Sequence, residues 1–156
     1  MKKIIYFFIL TFFLSNFSFA QEKNIQVIDG DTIHIGKLKY RFFGIDAPET
    51  KQICEKDNIK IQCGVIAKNV LKNKIANKIP ECVVKDKDRY QRLVAECFIG
   101  KESLSRFMVR EGYAVAYTQY SKDFIEDEKY AKENKLGIWS MNFQTPSEYR
   151  KSLRNK

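Results

Sequence analysis

The sequence predicts a small α+β domain in which five short strands form a closed sheet and three helices pack around it. Three observations support this class. Some segments alternate apolar and polar residues, others carry apolar stripes at helical spacing, and glycines or prolines divide the two kinds of segment. Residues 21–156 also have the length of one compact domain.

Residues 1–20 have the pattern of a secretory signal peptide. Two lysines precede an apolar run from Ile4 to Leu14, and a Ser-Phe-Ala sequence ends at Ala20. The run is short for a membrane span, although an uncleaved anchor is the alternative. We therefore expect an exported protein, secreted or periplasmic, with no stable membrane association after cleavage.

The first half of the domain predicts strands. Residues 25–35 suit two strands around a turn at Asp29-Gly30-Asp31, because Ile33 and Ile35 alternate with polar neighbours. His34 belongs to that alternation, so we assign it no catalytic role. Residues 38–45 suit a further strand that ends before Pro48. The polar segment 52–62 predicts a loop.

Helices and a hairpin follow. An apolar stripe predicts the first helix, from Ala67 through Val70 and Leu71 to Ile75. Residues 81–84 and 93–99 suit paired strands. Residues 102–111 and 124–136 suit two more helices, which end at glycines. Residues 113–120 predict an extended segment, and residues 140–156 a polar, basic tail. A five-stranded OB barrel fits this count of elements.

The net charge and the cysteines indicate which partners and which compartment suit the protein. The formal net charge is +9, to which Lys2 and Lys3 contribute, and an excess of basic residues favours polyanions. The four cysteines are an even set in an exported chain, which predicts two disulfides. We expect Cys54–Cys63 and Cys82–Cys97. The second pair lies symmetrically about the predicted hairpin turn. A zinc site is the alternative, with His34 the single histidine.

Four acidic residues are candidates for chemistry. Asp29, Asp31 and Asp46 offer oxygen ligands of the kind that a hard ion such as calcium or magnesium prefers. Glu49 follows Pro48 in a stiff turn and is placed to orient or deprotonate a water. The alternatives are a plain hairpin turn at Asp29-Gly30-Asp31 and a solvated Glu49.

Two arginines suit a phosphate. Arg41 lies within an apolar strand, where an unpaired charge is costly, and Arg92 lies early in the second strand of the predicted hairpin. The planar guanidinium matches two phosphate oxygens and stabilises charge in a phosphoryl transition state. The alternative for each is a carboxylate partner inside the protein.

The chain resembles the staphylococcal-nuclease (thermonuclease) family from about Ile25 to Trp139. The matching residues are Val27-Ile28-Asp29-Gly30-Asp31-Thr32, Arg41, Gly44-Ile45-Asp46-Ala47-Pro48-Glu49, Asp88, Tyr90, Arg92, Leu93, Ala95 and Lys135-Leu136-Gly137-Ile138-Trp139. The resemblance implies an OB barrel with helices. It also implies Ca²⁺-dependent hydrolysis of DNA and RNA to products with 3′-phosphates.

The resemblance also implies roles. By position, Asp31, Asp46 and the backbone carbonyl of Ala47 match the family's calcium ligands, with Asp29 close by. The phosphate-binding arginines correspond to Arg41 and Arg92, and the general base corresponds to Glu49. Tyr90 and Tyr117 are candidates for stacking on a base or sugar, with core packing the alternative for Tyr117.

Two departures from the family pattern stand out. Gln91 occupies a position where the family commonly has glycine, which predicts a reshaped turn before Arg92. The four cysteines are absent from the family's best-known member but are similar to those of exported bacterial relatives.

Three functions compete on this sequence. We expect a monomeric nuclease that prefers single-stranded nucleic acid. A non-catalytic OB module that binds nucleic acid is the alternative. A structural or adhesion domain explains the charge but gives Arg41, Asp46 and Glu49 no task.

Overall fold

The computed structural model describes residues 24–155, so the predicted signal peptide lies outside the described part. The strands are β1 (Ile25–Val27), β2 (Thr32–Ile35), β3 (Leu38–Phe42), β4 (Ile45–Asp46), β5 (Cys54–Lys56), β6 (Ile59–Ile61), β7 (Glu81–Lys87), β8 (Leu93–Ile99), β9 (Glu102–Ser103) and β10 (Val115–Ala116). The helices are α1 (Cys63–Ile75), α2 (Leu104–Arg110), α3 (Ile125–Glu133) and α4 (Pro146–Arg154), with a 3-10 helix at Gly137–Ser140. The α+β class is confirmed.

The main sheet has six strands. Its order is β1-β2-β3-β8-β7, with β9 beside β8, and in residues 24–155 this pairing forms an open path rather than a ring. Strands β3 and β8 are parallel, and the other neighbours are antiparallel. A separate ribbon pairs β4 with β10, which carries Asp46 opposite Val115. The predicted extended segment 113–120 thus contributes only a two-residue strand.

The core lies where the sheet meets α1 and α2. The predicted stripe on α1 is confirmed, because Ala67, Leu71 and Ile75 are fully buried and Val70 packs beside them. Ile33, Phe42 and Leu104 complete the contact between sheet and helices. Burial of each large aliphatic side chain contributes roughly 1.5–3 kcal/mol, so this layer contributes a large share of the stability of the fold.

The predicted loop 52–62 contains a hairpin, which corrects the prediction from its polar composition. Strands β5 and β6 pair with Cys54 opposite Ile61. Asp57 and Asn58 both have positive φ, 51° and 62°, as a two-residue hairpin turn requires. Asp and Asn accept this left-handed backbone better than most residues, so the signal was present in the sequence.

Both predicted disulfides are confirmed. Cys82 and Cys97 lie directly opposite each other across β7 and β8. Cys54–Cys63 ties the first residue of β5 to the first residue of α1. Cross-links of this length stabilise a domain by about 2–4 kcal/mol, mainly by restricting the unfolded chain. The Cys54–Cys63 disulfide also restrains the short segment that follows Glu49.

The C-terminal segment is helical, so the prediction of three helices missed one. Thr145 caps α4 by accepting from the Glu148 N–H at 3.3 Å, and the Glu148 carboxylate accepts from the Thr145 N–H at 2.8 Å. Pro146 occupies the first turn, where its lack of an N–H costs nothing. This capping box is a sequence signal for a helix start, although the polar composition of the segment hides it.

Within the described residues, none of the helices has the length and apolar character needed to cross a membrane.

Candidate active site

The turn between β1 and β2 holds two of the predicted acidic residues. The Asp31 side chain is about 1% exposed, and its Oδ2 accepts from the Ala47 N–H at 2.7 Å. Asp29 Oδ1 accepts from the Asp31 N–H at 3.0 Å. Gly30 allows this close approach, because a Cβ there would lie 2.7 Å from the Ala47 Cβ. The segment is therefore a turn, as the alternative held, and it also aims a buried carboxylate at the next loop.

Burial gives Asp29 an unusual proton affinity. Desolvation and the negative charge of Asp31 raise the pKa of Asp29 to about 7. The hydrogen bond from the Asp31 N–H and the charge of Arg41 oppose this rise without cancelling it. Burial is therefore the main reason that Asp29 binds its proton more tightly than an ordinary aspartate.

Arg41 joins two carboxylates. It lies on β3 opposite Thr32, and its guanidinium forms ion pairs with Asp31 Oδ1 and, at 2.9 Å, with Asp46 Oδ1. The side chain is 17% exposed. Burial disfavours its charge, but Asp31 and Asp46 outweigh that effect and raise the pKa of Arg41 above its ordinary value. Arg41 thus pairs with carboxylates inside the protein, which was the alternative to a phosphate-binding role. It is permanently cationic.

The loop after β4 carries Glu49. Its side chain is 38% exposed, whereas Asp46, three residues earlier, is about 1% exposed. The Glu49 N–H donates to Gln52 Oε1 at 3.3 Å, and the Gln52 N–H donates to the Glu49 carbonyl at 2.7 Å. At the start of α1, a Cβ on Gly64 would meet that carbonyl oxygen at 1.8 Å. Helix α1 therefore supports the Glu49 backbone closely.

Arg150 is the site residue that the sequence analysis missed. It extends from α4, and its Nη1 and Nη2 donate to Asp46 Oδ1 and Oδ2, both at 2.9 Å. Nη1 also donates to Glu49 Oε1 at 2.8 Å. Burial opposes the charge, but the hydrogen bonds to Asp46 and Glu49 raise the pKa of Arg150 above its ordinary value. The capping box at Thr145 could have found the helix, but no local signal points Arg150 at Asp46.

Arg92 lies apart from the carboxylates. In the described structure its Nε pairs with Asp88 Oδ2 at 2.7 Å, within the turn between β7 and β8. The register of β3 with β8 places Val94 beside Arg41, so this turn begins close to the site. The structure thus brings Asp31, Arg41, Asp46 and Glu49 together and leaves Arg92 on a neighbouring turn.

Gln91 is held in a strained conformation. Its φ is 64°, a left-handed value that costs a non-glycine residue roughly 1–2 kcal/mol. Asp88 offsets this cost, because its Oδ1 accepts from the N–H groups of Tyr90 and Arg92, each at 2.9 Å. These hydrogen bonds hold the turn at Gln91, where the family pattern leads one to expect glycine.

The Asp88 carboxylate predicts a pH-dependent contribution to stability. Slight desolvation raises the pKa of Asp88, but hydrogen bonds from Arg92 and Tyr90 and the Arg92 charge outweigh it and lower the pKa below the ordinary value. The contribution is complete above the unfolded pKa of about 3.9 and is lost as the pH falls through the folded pKa. We expect Asp88→Asn to reduce the free energy of unfolding by about 1 kcal/mol at pH 7.

Urea unfolding at several pH values checks this. The difference in the free energy of unfolding between Asp88→Asn and wild type must shrink below pH 4. The exposed Asp123→Asn control should have nearly the wild-type free energy of unfolding throughout. A difference that stays constant from pH 7 to pH 2.5 would contradict the role of the ionised Asp88.

The aromatic candidates differ in exposure. The Tyr90 side chain is 65% exposed, with the guanidinium carbons of Arg89 and Arg92 at 5.0 and 5.6 Å from its ring centre. Tyr117 is half-buried and packs edge-on against Tyr120 at 4.8 Å between ring centres. Tyr90 is therefore open to a base, whereas Tyr117 has a protein partner.

Comparison with known proteins decides the family. A family model described as Staphylococcal nuclease homologue matches residues 39–141. The chain belongs to the staphylococcal nuclease family. It is 30% identical over 162 residues to an uncharacterized endonuclease of Haemophilus influenzae, covering 96% of this chain and 86% of the relative. It is 34% identical over 139 residues to the thermonuclease of Staphylococcus hyicus, covering 81% and 80%.

The family match and the structural site do not coincide fully. The matched range contains Arg41, Asp46, Glu49 and Arg92 but begins after Asp31. It also ends before Arg150. The nuclease-family fold includes the OB architecture, which agrees with the predicted class.

The acidic residues are ligands of the type that a hard cation prefers, but they are too few to complete its coordination shell without water. Asp31 and Asp46 are buried oxygen donors that meet at Arg41, and soft ligands are not among them. Within residues 24–155, no group of three or more histidine, cysteine, aspartate or glutamate side chains converges tightly enough to hold an ion alone. A calcium ion accepts six to eight oxygens, so carbonyls and waters would supply the rest.

Proposed function

We propose that this protein is an exported nuclease that hydrolyses phosphodiester bonds of DNA and RNA with Ca²⁺ and releases 3′-phosphate products. The observation that carries the proposal is the convergence of two buried carboxylates, Asp31 and Asp46, on the Arg41 guanidinium beside Glu49. Membership of the nuclease family supports it, as do relatives named endonuclease and thermonuclease.

The ligands for the ion would be the carboxylates of Asp31 and Asp46 and the Ala47 carbonyl, with Asp29 behind them. When bound, Ca²⁺ supplies positive charge at a phosphate oxygen and at a water. The burial of Asp31 and Asp46 supports this assignment, because both are oxygen donors with side chains about 1% exposed.

Glu49 would accept the proton of the attacking water. Its carboxylate is partly exposed, so a water can reach it, and its backbone is fixed by Gln52 and Gly64. The water oxygen forms the new bond to phosphorus, and the bond from phosphorus to the 5′ oxygen breaks in line with it. The leaving oxygen takes a proton from solvent, which leaves the phosphate on the 3′ side.

The two arginines would hold the phosphate. Arg41 uses Nη1 and Nη2 on Asp31 and Asp46, which leaves further N–H groups of its five for a ligand. Arg92 uses its Nε on Asp88, so its two Nη groups remain for a phosphate oxygen. Fixed donors of this kind stabilise the charge that develops on the phosphoryl oxygens.

The substrate would be single-stranded or frayed nucleic acid. Tyr90, exposed and flanked by Arg89 and Arg92, offers a ring for base stacking beside cationic groups. The formal net charge is +9, or +7 once Lys2 and Lys3 are removed with the signal peptide (9 − 2), and an excess of this kind favours association with a polyanion. Two disulfides suit an oxidising compartment outside the cytosol, and we propose a monomer there.

A cleavage assay tests the function. We expect the oxidised protein to degrade denatured DNA in calcium and to stop when chelator is added, with products that carry 3′-phosphates. Intact DNA in calcium, together with binding in a gel-shift assay, would replace the enzyme with the non-catalytic binding module. Degradation that persists in chelator would reject calcium and keep the nuclease.

A further inference from the structure

A cationic side chain from the last helix occupies the acidic site. The Arg150 guanidinium pairs with both oxygens of Asp46 and with Glu49, at 2.8–2.9 Å. It reaches Asp46 across 104 positions of the chain, so the contact is made by the docking of α4 and not by local structure. The family match ends at residue 141 and does not include this arginine.

Helix α4 is anchored mainly at its beginning. Gln52 Nε2 donates to the Gln144 carbonyl at 2.7 Å, and Pro146 is the one buried residue of the helix. Further along, Tyr149 Oη donates to the Lys51 carbonyl at 3.3 Å, and Leu153 is 52% exposed. Beyond its first turn, the helix therefore depends on Arg150 and Tyr149 for its position. Beyond Pro146 the helix contributes no buried side chain to the core, so its displacement would leave the core packing in place.

The guanidinium and a divalent ion compete for the same carboxylate. Asp46 Oδ1 already accepts from Arg41 and Arg150, and Oδ2 accepts from Arg150. An ion bound to Asp46 would lie close to the Arg150 charge, and like charges in a partly buried site repel strongly. Occupation by one cation therefore weakens occupation by the other.

We propose that Arg150 is an internal counter-cation that holds Asp46 and Glu49 until a divalent metal ion displaces it. In this arrangement α4 is a strap: Arg150 leaves Asp46 as the ion arrives, and Glu49 loses the same ion pair and becomes available to a water. The inference rests on the metal site of the proposed function. It adds that metal binding and release of α4 are one coupled event.

Calcium titration by calorimetry tests the exchange. We expect Arg150→Gln to bind Ca²⁺ about tenfold more tightly than wild type, as when the competent site is available only about a tenth of the time. Arg150→Lys, which keeps a charge but cannot form the bidentate pair, should lie between the two. Lys151→Gln removes the same charge from the next, exposed position and should bind as wild type does.

Hydrogen exchange provides a readout that is independent of activity. We expect calcium to speed amide exchange in residues 147–154 of the wild type. In Arg150→Gln the exchange should be fast already without the ion. Asp46→Asn should abolish the effect of calcium on this segment.

The outcomes separate the two proposals. Equal or weaker calcium affinity in Arg150→Gln, with unchanged exchange in α4, would overturn the strap and leave the metal site standing. If Arg150→Gln shows that same result and also has lower nuclease activity, the role of Arg150 would be to bind the substrate phosphate instead. An absence of calcium binding in wild type and variant alike would overturn the metal site and the strap together.

Discussion

We expect Glu49→Gln to lower turnover on denatured DNA by about 10²–10⁴-fold, the range that a positioned general base contributes. The amide keeps the size of the side chain and an oxygen that can accept from Arg150 Nη1, now 2.8 Å from Glu49 Oε1. The carboxylate is 38% exposed, so its loss leaves the stability of the fold nearly unchanged. The defect should therefore be in kcat, with thermal unfolding close to that of wild type.

A pH profile distinguishes a base from an anchor. If Glu49 takes the proton of the water, the acidic limb of the rate profile disappears in Glu49→Gln. If Glu49 only holds Arg150, then Arg150→Gln produces the same loss of turnover. Glu55→Gln is a matched control, because Glu55 is an exposed glutamate on β5. A rate within threefold of wild type in Glu49→Gln would remove the base from the proposal.

The fold was predictable where the signal is local. Alternation around Ile33 places β2, the stripe at Ala67, Leu71 and Ile75 places α1, and symmetry about a turn places the Cys82–Cys97 disulfide. Each of these patterns repeats over a few residues and reflects burial on one face. The hairpin β5–β6 was missed because its strands are mostly exposed and carry little apolar pattern.

The site was predictable as a set of residue types and not as a set of contacts. Asp31, Arg41, Asp46 and Glu49 were all named from the sequence, and the structure brings them together. Their partners depend on tertiary docking. Arg41 pairs with the very carboxylates assigned to the metal, and Arg150 arrives from a polar helix whose only local mark is its capping box. The residue pattern of one segment does not predict ion pairs with residues that are distant in sequence.

The two guanidiniums that pair with the acidic cluster affect both the stability of the fold and the binding of a metal ion. A set of buried carboxylates without cations would be strongly unfavourable, so Arg41 and Arg150 make the unliganded fold possible. The same pairing lowers the affinity of Asp46 for any metal ion. Stability of the protein without metal and affinity for the metal are therefore opposed at this carboxylate, and the arginines set the balance.

Arg41→Ala tests that balance and carries the largest expected loss of stability. Asp31 is about 1% exposed and loses its cationic partner, whereas Asp46 keeps Arg150. Breaking one side of a buried ion pair costs about 3–5 kcal/mol, because a desolvated charge is left behind. Turnover should also fall by about 10²–10³-fold, the effect of removing one donor to a developing negative charge.

Arg92→Ala is the matched variant for this change, because it removes the same charge from a more exposed pair with Asp88. It should lower turnover as well, but cost only about 0–1 kcal/mol of stability. Urea unfolding of both variants, with and without calcium, separates the two roles. Calcium should restore part of the stability of Arg41→Ala, because an ion that binds only the folded state stabilises it in proportion to RT ln(1 + [L]/Kd). If Arg41→Ala unfolds as wild type does, the buried carboxylates do not depend on Arg41, and its place at the centre of the site is wrong.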